Sequence, residues 1–139
     1  MVLSLILSFI LFTLGILHMY WVFNGKWGLN NVLPTNGKGE TILHPKKLDT
    51  AIVALGLLTF GLFYLMTSNL IAIDLPHWIT DYLGWIIPFI FVLRAIGEFK
   101  YVGFFKRVRY TKFGKMDSLF FSPLCLTIGF LGILIKITN

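Results

Sequence analysis

The sequence predicts an all-α protein with four transmembrane helices in an antiparallel bundle and both termini outside. Three observations point there. The first is composition: 57% of the 139 residues are hydrophobic and only 13% are charged, whereas a soluble domain is about half apolar and about a quarter charged. The second is where charge is missing, since residues 1–25, 50–73 and 118–135 contain no Asp, Glu, Lys or Arg. As helices these runs reach roughly 37, 36 and 27 Å, against a hydrocarbon core of about 30 Å. The third is where cations gather, in two of the three connectors between spans.

The first span is expected over residues 2–23. It has no basic leader and no small-residue cleavage site, and its apolar run is long, so it reads as an anchor and not a signal peptide. At 100° per residue, Ser4, Ser8, Gly15 and His18 fall within an arc of about 80°. Small residues on one face let another helix approach closely, which would place His18 inside the bundle. Tyr20, Trp21 and Trp27 follow as an interfacial belt.

Residues 24–48 form a connector punctuated by Asn24-Gly25, Asn36-Gly37, Pro34 and Pro45, all turn formers. Within it Gly37-Lys38-Gly39-Glu40-Thr41 resembles a phosphate loop only superficially, because the spacing is wrong. The second span is expected over 49–73, with Asp49 as its N-cap and Ala54, Gly56 and Gly61 thinning it for close packing. A connector over 67–78 overlaps its end and carries Asp74 and His77 but no Lys or Arg.

The third span, 79–98, has the shortest charge-free core, residues 82–93, flanked by the belt residues Trp78, Tyr82 and Trp85. Pro88 should kink it by removing a backbone hydrogen bond. Residues 99–117 form the next connector, and the last span is expected over 118–136, with Ser122-Pro123 in its first turns. The lone Cys125 reads as a packing residue. Length assigns the whole chain, 1–139, to one domain.

Orientation comes from counting. The connector over 24–48 has four Lys, at 26, 38, 46 and 47, and that over 99–117 has six Lys or Arg, at 100, 106, 107, 109, 112 and 115. The connector between them has none. Cationic loops stay in the cytoplasm, so both basic connectors are expected inside and both termini outside. The third span is needed for the two basic connectors to share a side. With the net charge of +6 placed beside the membrane, anionic lipid headgroups are the expected partner, and nucleic acid is not.

Four polar groups from three spans are expected to converge beneath the cytoplasmic surface: His18, Arg94, Glu98 and Asp117. Arg94 lies within the apolar slab, where an unpaired charge costs at least about 2.5–3.5 kcal/mol. Glu98 follows at i+4 and would offset part of that cost. As a site, the group would form an inner-leaflet pocket in which Arg94 binds a phosphate or carboxylate and His18 carries a proton. As structure, Arg94, Glu98 and Asp117 would be a polar clamp fixing helix register. Lys100, Lys106, Arg107, Arg109, Lys112 and Lys115 are expected on the lipid surface. Tyr101, Phe104, Phe105 and Val108 share a helical face, suggesting an amphipathic segment among them. Ligand spacing for a metal or haem is missing, so no cofactor is expected. A carboxylate at mid-membrane, which a proton-driven multidrug transporter needs, is also missing.

The motifs HMYW at 18–21, RAIGEFKYVGFFKRVR at 94–109 and DSLFFSPLCL at 117–126 resemble a bacterial membrane family of unknown function, domain of unknown function 3995. The resemblance implies a small four-span domain in a bacterial cytoplasmic membrane and carries no activity. Two functions are compatible with these readings. The favoured one is a non-enzymatic binding or accessory protein that engages anionic lipid, a membrane partner or a second copy of itself at the cytoplasmic face. The alternative is a small lipid-active enzyme or carrier built on His18, Arg94, Glu98 and Asp117.

Overall fold

The computed structural model describes Met1–Thr138 and is built from helices and irregular connectors. Four of its helical runs are long and apolar enough to cross a bilayer: Val2–Val22, Lys47–Met66, His77–Ile96 and Lys112–Thr138. They are α1 (Val2–Val22), α3 (Lys47–Met66), α4 (His77–Ile96), and α5 (Lys112–Met116) continued by a π turn (Asp117–Phe121) into α6 (Ser122–Thr138). A short helix, α2 (Leu29–Val32), lies in the first connector. Among the described residues the only β feature is an isolated bridge between Thr35 and Thr41.

The bundle consists of two tight pairs, α1 with α3 and α4 with α6, joined mainly where α1 meets α6. The small-residue stripe of α1 forms the first seam. Ser4, Leu7, Ser8, Leu11 and Gly15 are its buried positions, and Ser8 Oγ donates to Gly61 O at 2.7 Å. At Gly15 a Cβ would stand 2.8 Å from Leu58 Cδ2, so the close approach requires glycine there. The second seam uses Pro88 of α4, which is buried against Gly132 of α6. Between the pairs lies a core that includes Leu7, Leu11, Leu57, Tyr64, Ile87, Phe91 and Ile128. Phe9, Ile16, Leu55, Leu62, Phe89 and Phe130 point outward, the inversion expected when lipid replaces water as the solvent.

Several boundaries differ from those the sequence predicts, and α4 begins and ends two residues before the expected 79–98. α3 stops at Met66 and not at 73. Ser68 Oγ donates to Leu65 O at 2.6 Å and Asn69 takes φ +60°, so short polar side chains compete with the helix for its backbone. Asp49 is not the N-cap of α3. It sits inside the first turn and accepts from Lys46 N at 3.0 Å. The last run begins at Lys112 and not at 118. Thr111 caps it by accepting from Gly114 N at 2.9 Å.

The two basic connectors lie at the same end of the bundle and touch. α2 packs on α5, and the Tyr110 ring covers Gly37 so closely that a Cβ there would overlap its hydroxyl.

Candidate functional site

The charged cluster is centred on Asp117, which is 0% exposed. Its position follows from a proline six residues further on. Pro123 has no N–H and its ring crowds the carbonyl four residues back, so a regular α-turn through it is costly. The chain widens instead into the π turn Asp117–Phe121, in which Ser122 N donates to Asp117 O. The wider turn also swings Ser122 toward the face of Asp117, and Ser122 Oγ donates to Asp117 Oδ2 at 3.0 Å.

Three further donors meet the carboxylate. Arg94 Nη2 donates to Oδ1 at 3.0 Å, while Gly103 N and Lys106 Nζ donate to Oδ2 at 2.8 and 3.1 Å. Lys106 is itself sealed in, with no side-chain exposure. Its ammonium reaches Gly103 O at 2.9 Å, Ser118 Oγ at 2.6 Å and Asp117, which uses all three of its N–H groups. Arg94 is different. Its side chain is 36% exposed, yet its Nη1 is buried with no partner among the described residues. Two cations share one carboxylate, so the cluster carries a surplus positive charge.

The loop that brings Lys106 inward is built on two glycines. Gly97 ends α4 at φ +83° and Gly103 takes φ +91°. They lie face to face, and a Cβ on Gly97 would come within 2.6 Å of Gly103 Cα. Phe104 N then donates to Ala95 O at 2.8 Å, folding residues 97–110 back over the end of the bundle. Arg109 braces the fold from outside, donating through Nε to Lys106 O at 2.9 Å and through Nη2 to Phe104 O at 3.1 Å.

The structure therefore joins Arg94 to Asp117 and leaves the other two predicted members elsewhere. Glu98 is not a helical i+4 partner of Arg94, because Gly97 terminates the helix before it. Its carboxylate accepts instead from Tyr101 N and Val102 N. His18 Nδ1 donates to Leu14 O at 2.8 Å, and the ring meets Trp21 edge-on with centroids 4.9 Å apart. No hydrogen bond among the described residues ties His18 to the cluster. Of the six cations expected on the lipid surface, Lys100, Arg107, Arg109, Lys112 and Lys115 are exposed, while Lys106 is buried because Asp117 demands a counter-charge. Residues 101–108 form no amphipathic helix, since the paired glycines impose an irregular loop.

Two of the clefts on the surface lie at opposite ends of the bundle. One, of about 380 Å³, borders Glu98, Phe99, Lys100, Arg107 and Val108. The other lies away from the basic connectors. Arg94, His18 and Asp117 line neither. Among the described residues no three His, Cys, Asp or Glu side chains gather as metal ligands.

Neither a curated protein nor a solved structure matches the chain. A family model does, over residues 11–132, which take in the second half of α1, α3, α4, the folded-back loop, the Asp117 cluster and most of α6. By that match the chain belongs to the family described as protein of unknown function (DUF3995).

Proposed function

We propose that this chain is a non-enzymatic protein of the bacterial cytoplasmic membrane that holds a cationic plate against anionic lipid headgroups at the cytoplasmic surface. The observation that carries it is the exposure of nine Lys and Arg side chains at one end of an apolar bundle: Lys26, Lys38, Lys46, Lys47, Lys100, Arg107, Arg109, Lys112 and Lys115. They come from two connectors that pack against each other, whereas the loop at the opposite end carries no Lys or Arg. Each such charge near an anionic surface contributes about 1 kcal/mol of attraction. Only Lys106 of the ten is withdrawn, neutralised by Asp117, and the Arg94–Asp117–Lys106 cluster serves as a clamp that shapes the plate.

The test is lipid selectivity in vesicles, read in a Trp78→Phe/Trp85→Phe background by quenching of Trp21 and Trp27 with brominated lipids. Brominated phosphatidylglycerol should be preferred over brominated phosphatidylcholine, the preference should fade with added salt, and Arg107→Gln/Lys112→Gln/Lys115→Gln should reduce it. Equal affinity for both lipids would overturn the proposal.

One observation favours the alternative, a lipid-active enzyme or carrier. Arg94 Nη1 is buried without a partner inside a cluster of net positive charge, which is the condition for capturing an anion.

A further inference from the structure

The end of the bundle away from the basic connectors holds a cleft that a cationic plate does not account for. Its volume is about 470 Å³, within the range of small-ligand sites, roughly 300–1,000 Å³. The end of α3, the loop after it, the start of α4 and the end of α6 supply its walls.

Tyr64 sets the first requirement. It is 1% exposed, it lines the cleft, and its Oη has no hydrogen-bond partner among the described residues. A buried hydroxyl in that state calls for one. An ion pair sets the second requirement, since Lys136 Nζ and Asp81 Oδ1 stand 2.6 Å apart and both residues line the cleft. Asp74, also on the wall, joins no salt bridge among the described residues and leaves the local charge negative.

Two glycines keep these groups where they are. A Cβ at Gly132 would stand 2.7 Å from Tyr64 Oη, and one at Gly84 would stand 2.8 Å from Lys136 Cδ. A side chain at Gly132 would crowd the Tyr64 hydroxyl and Pro88, and one at Gly84 would crowd the stem of Lys136.

A complementary ligand presents an anionic oxygen to Tyr64 Oη and Lys136 and a cation to Asp81 and Asp74. That is a zwitterion aligned against the ion pair. A primary ammonium suits the two carboxylates better than a quaternary one, because it donates hydrogen bonds as well as charge. The cleft also sits on the α4 turns that carry exposed Trp78, Tyr82 and Trp85, residues of the kind that settle at headgroup level. Phe63 and Ile135 supply an apolar wall. We infer that this cleft binds a zwitterion with a primary ammonium beside an anionic oxygen, as found in an aminophospholipid headgroup or in free phosphoethanolamine.

The experiment uses the full chain, delipidated in detergent, with binding read by native mass spectrometry. Dioleoyl phosphatidylethanolamine should bind about tenfold more tightly than dioleoyl phosphatidylcholine, the value of one charge-assisted contact. Tyr64→Phe removes only an unpartnered hydroxyl, so it should keep the melting temperature and weaken binding about fivefold. Asp74→Asn should narrow the preference between the two lipids. Displacement of the lipid by free phosphoethanolamine identifies a soluble ligand, and resistance to it identifies the lipid; both support the zwitterion site. Equal binding of the two lipids, or a Tyr64→Phe protein that binds unchanged, would overturn it. Neutralising Arg107, Lys112 and Lys115 should leave this binding intact, which separates its failure from failure of the cationic plate.

Discussion

Lys106 Nζ lies 3.1 Å from Asp117 Oδ2, and neither side chain is reached by solvent. Such a pair is weak grounds for net stability, because two desolvation costs oppose the attraction, but removing one member leaves the other charge stranded. Asp117 answers two cations, so Asp117→Asn strands both and should cost about 3–5 kcal/mol. Lys106→Met leaves Asp117 with Arg94, Gly103 and Ser122 as donors and should cost less, about 1–3 kcal/mol. Thermal unfolding in detergent checks the order. A smaller loss for Asp117→Asn than for Lys106→Met would show that the carboxylate is not the hub.

Arg94 is bound to the same carboxylate but is one-third exposed, and water and lipid headgroups screen what it contributes. Arg94→Ala should therefore cost only about 1 kcal/mol. Its sharper use is to separate clamp from pocket. If the cluster is a clamp, lipids that co-purify with the Arg94→Ala protein match those of the parent. Loss of a single anionic species with the fold intact would move the function to the alternative reading, with Arg94 Nη1 as the recognition group.

Gly97 and Gly103 each sit at positive φ, with the other's backbone where a Cβ would go. Alanine at either position combines left-handed strain with overlap that only a backbone shift can relieve. The expected loss is about 2 kcal/mol or more for each. The loop they form carries Lys106 inward, so the same variants should expose its ammonium. Amine acylation followed by peptide mapping should find Lys106 protected in the parent and modified in Gly103→Ala. Protection retained in the variant would mean that burial of Lys106 does not depend on the glycine crossing.

How much of this was legible follows from the range of the forces involved. The four spans could be read because lipid imposes a local condition, a charge-free helical length, on each. The Ser4, Ser8, Gly15 face was legible because helical periodicity alone puts those residues in one stripe. The helix break before Glu98 was not, since Gly97 looks no different in sequence from Gly84 or Gly129, which stay helical. Only the crossing with Gly103 makes a left-handed residue necessary there. Lys106 was equally hidden, being one cation among Lys100, Arg107 and Arg109, with its counter-charge eleven residues away on another element. Pro123 did carry a readable signal. A proline inside a helical run weakens the α ladder, which α4 accommodates at Pro88 without a π turn, and the five-residue spacing of Asp117 and Ser122 is the one a π turn brings together.

Threading is the remaining expectation, and it rests on ten Lys and Arg at one end of the bundle against none in the opposite loop. A reporter cysteine in the first connector has to avoid Asn36, whose Oδ1 accepts from Lys38 N and Glu40 N, both at 2.9 Å, and holds the turn. Lys38 and Leu70 are exposed at opposite ends and hold no packing, so each can become cysteine in a Cys125→Ala background. In intact cells an impermeant maleimide should label Leu70→Cys and spare Lys38→Cys until the membrane is permeabilised. Losing one of ten charges does not reverse the bias, so Lys38→Cys reports the native direction. Labelling in the reverse pattern would place the nine exposed cations outside and remove the anionic inner leaflet as their partner. The cluster around Asp117 would survive that result, because its geometry is indifferent to which side of the membrane it faces.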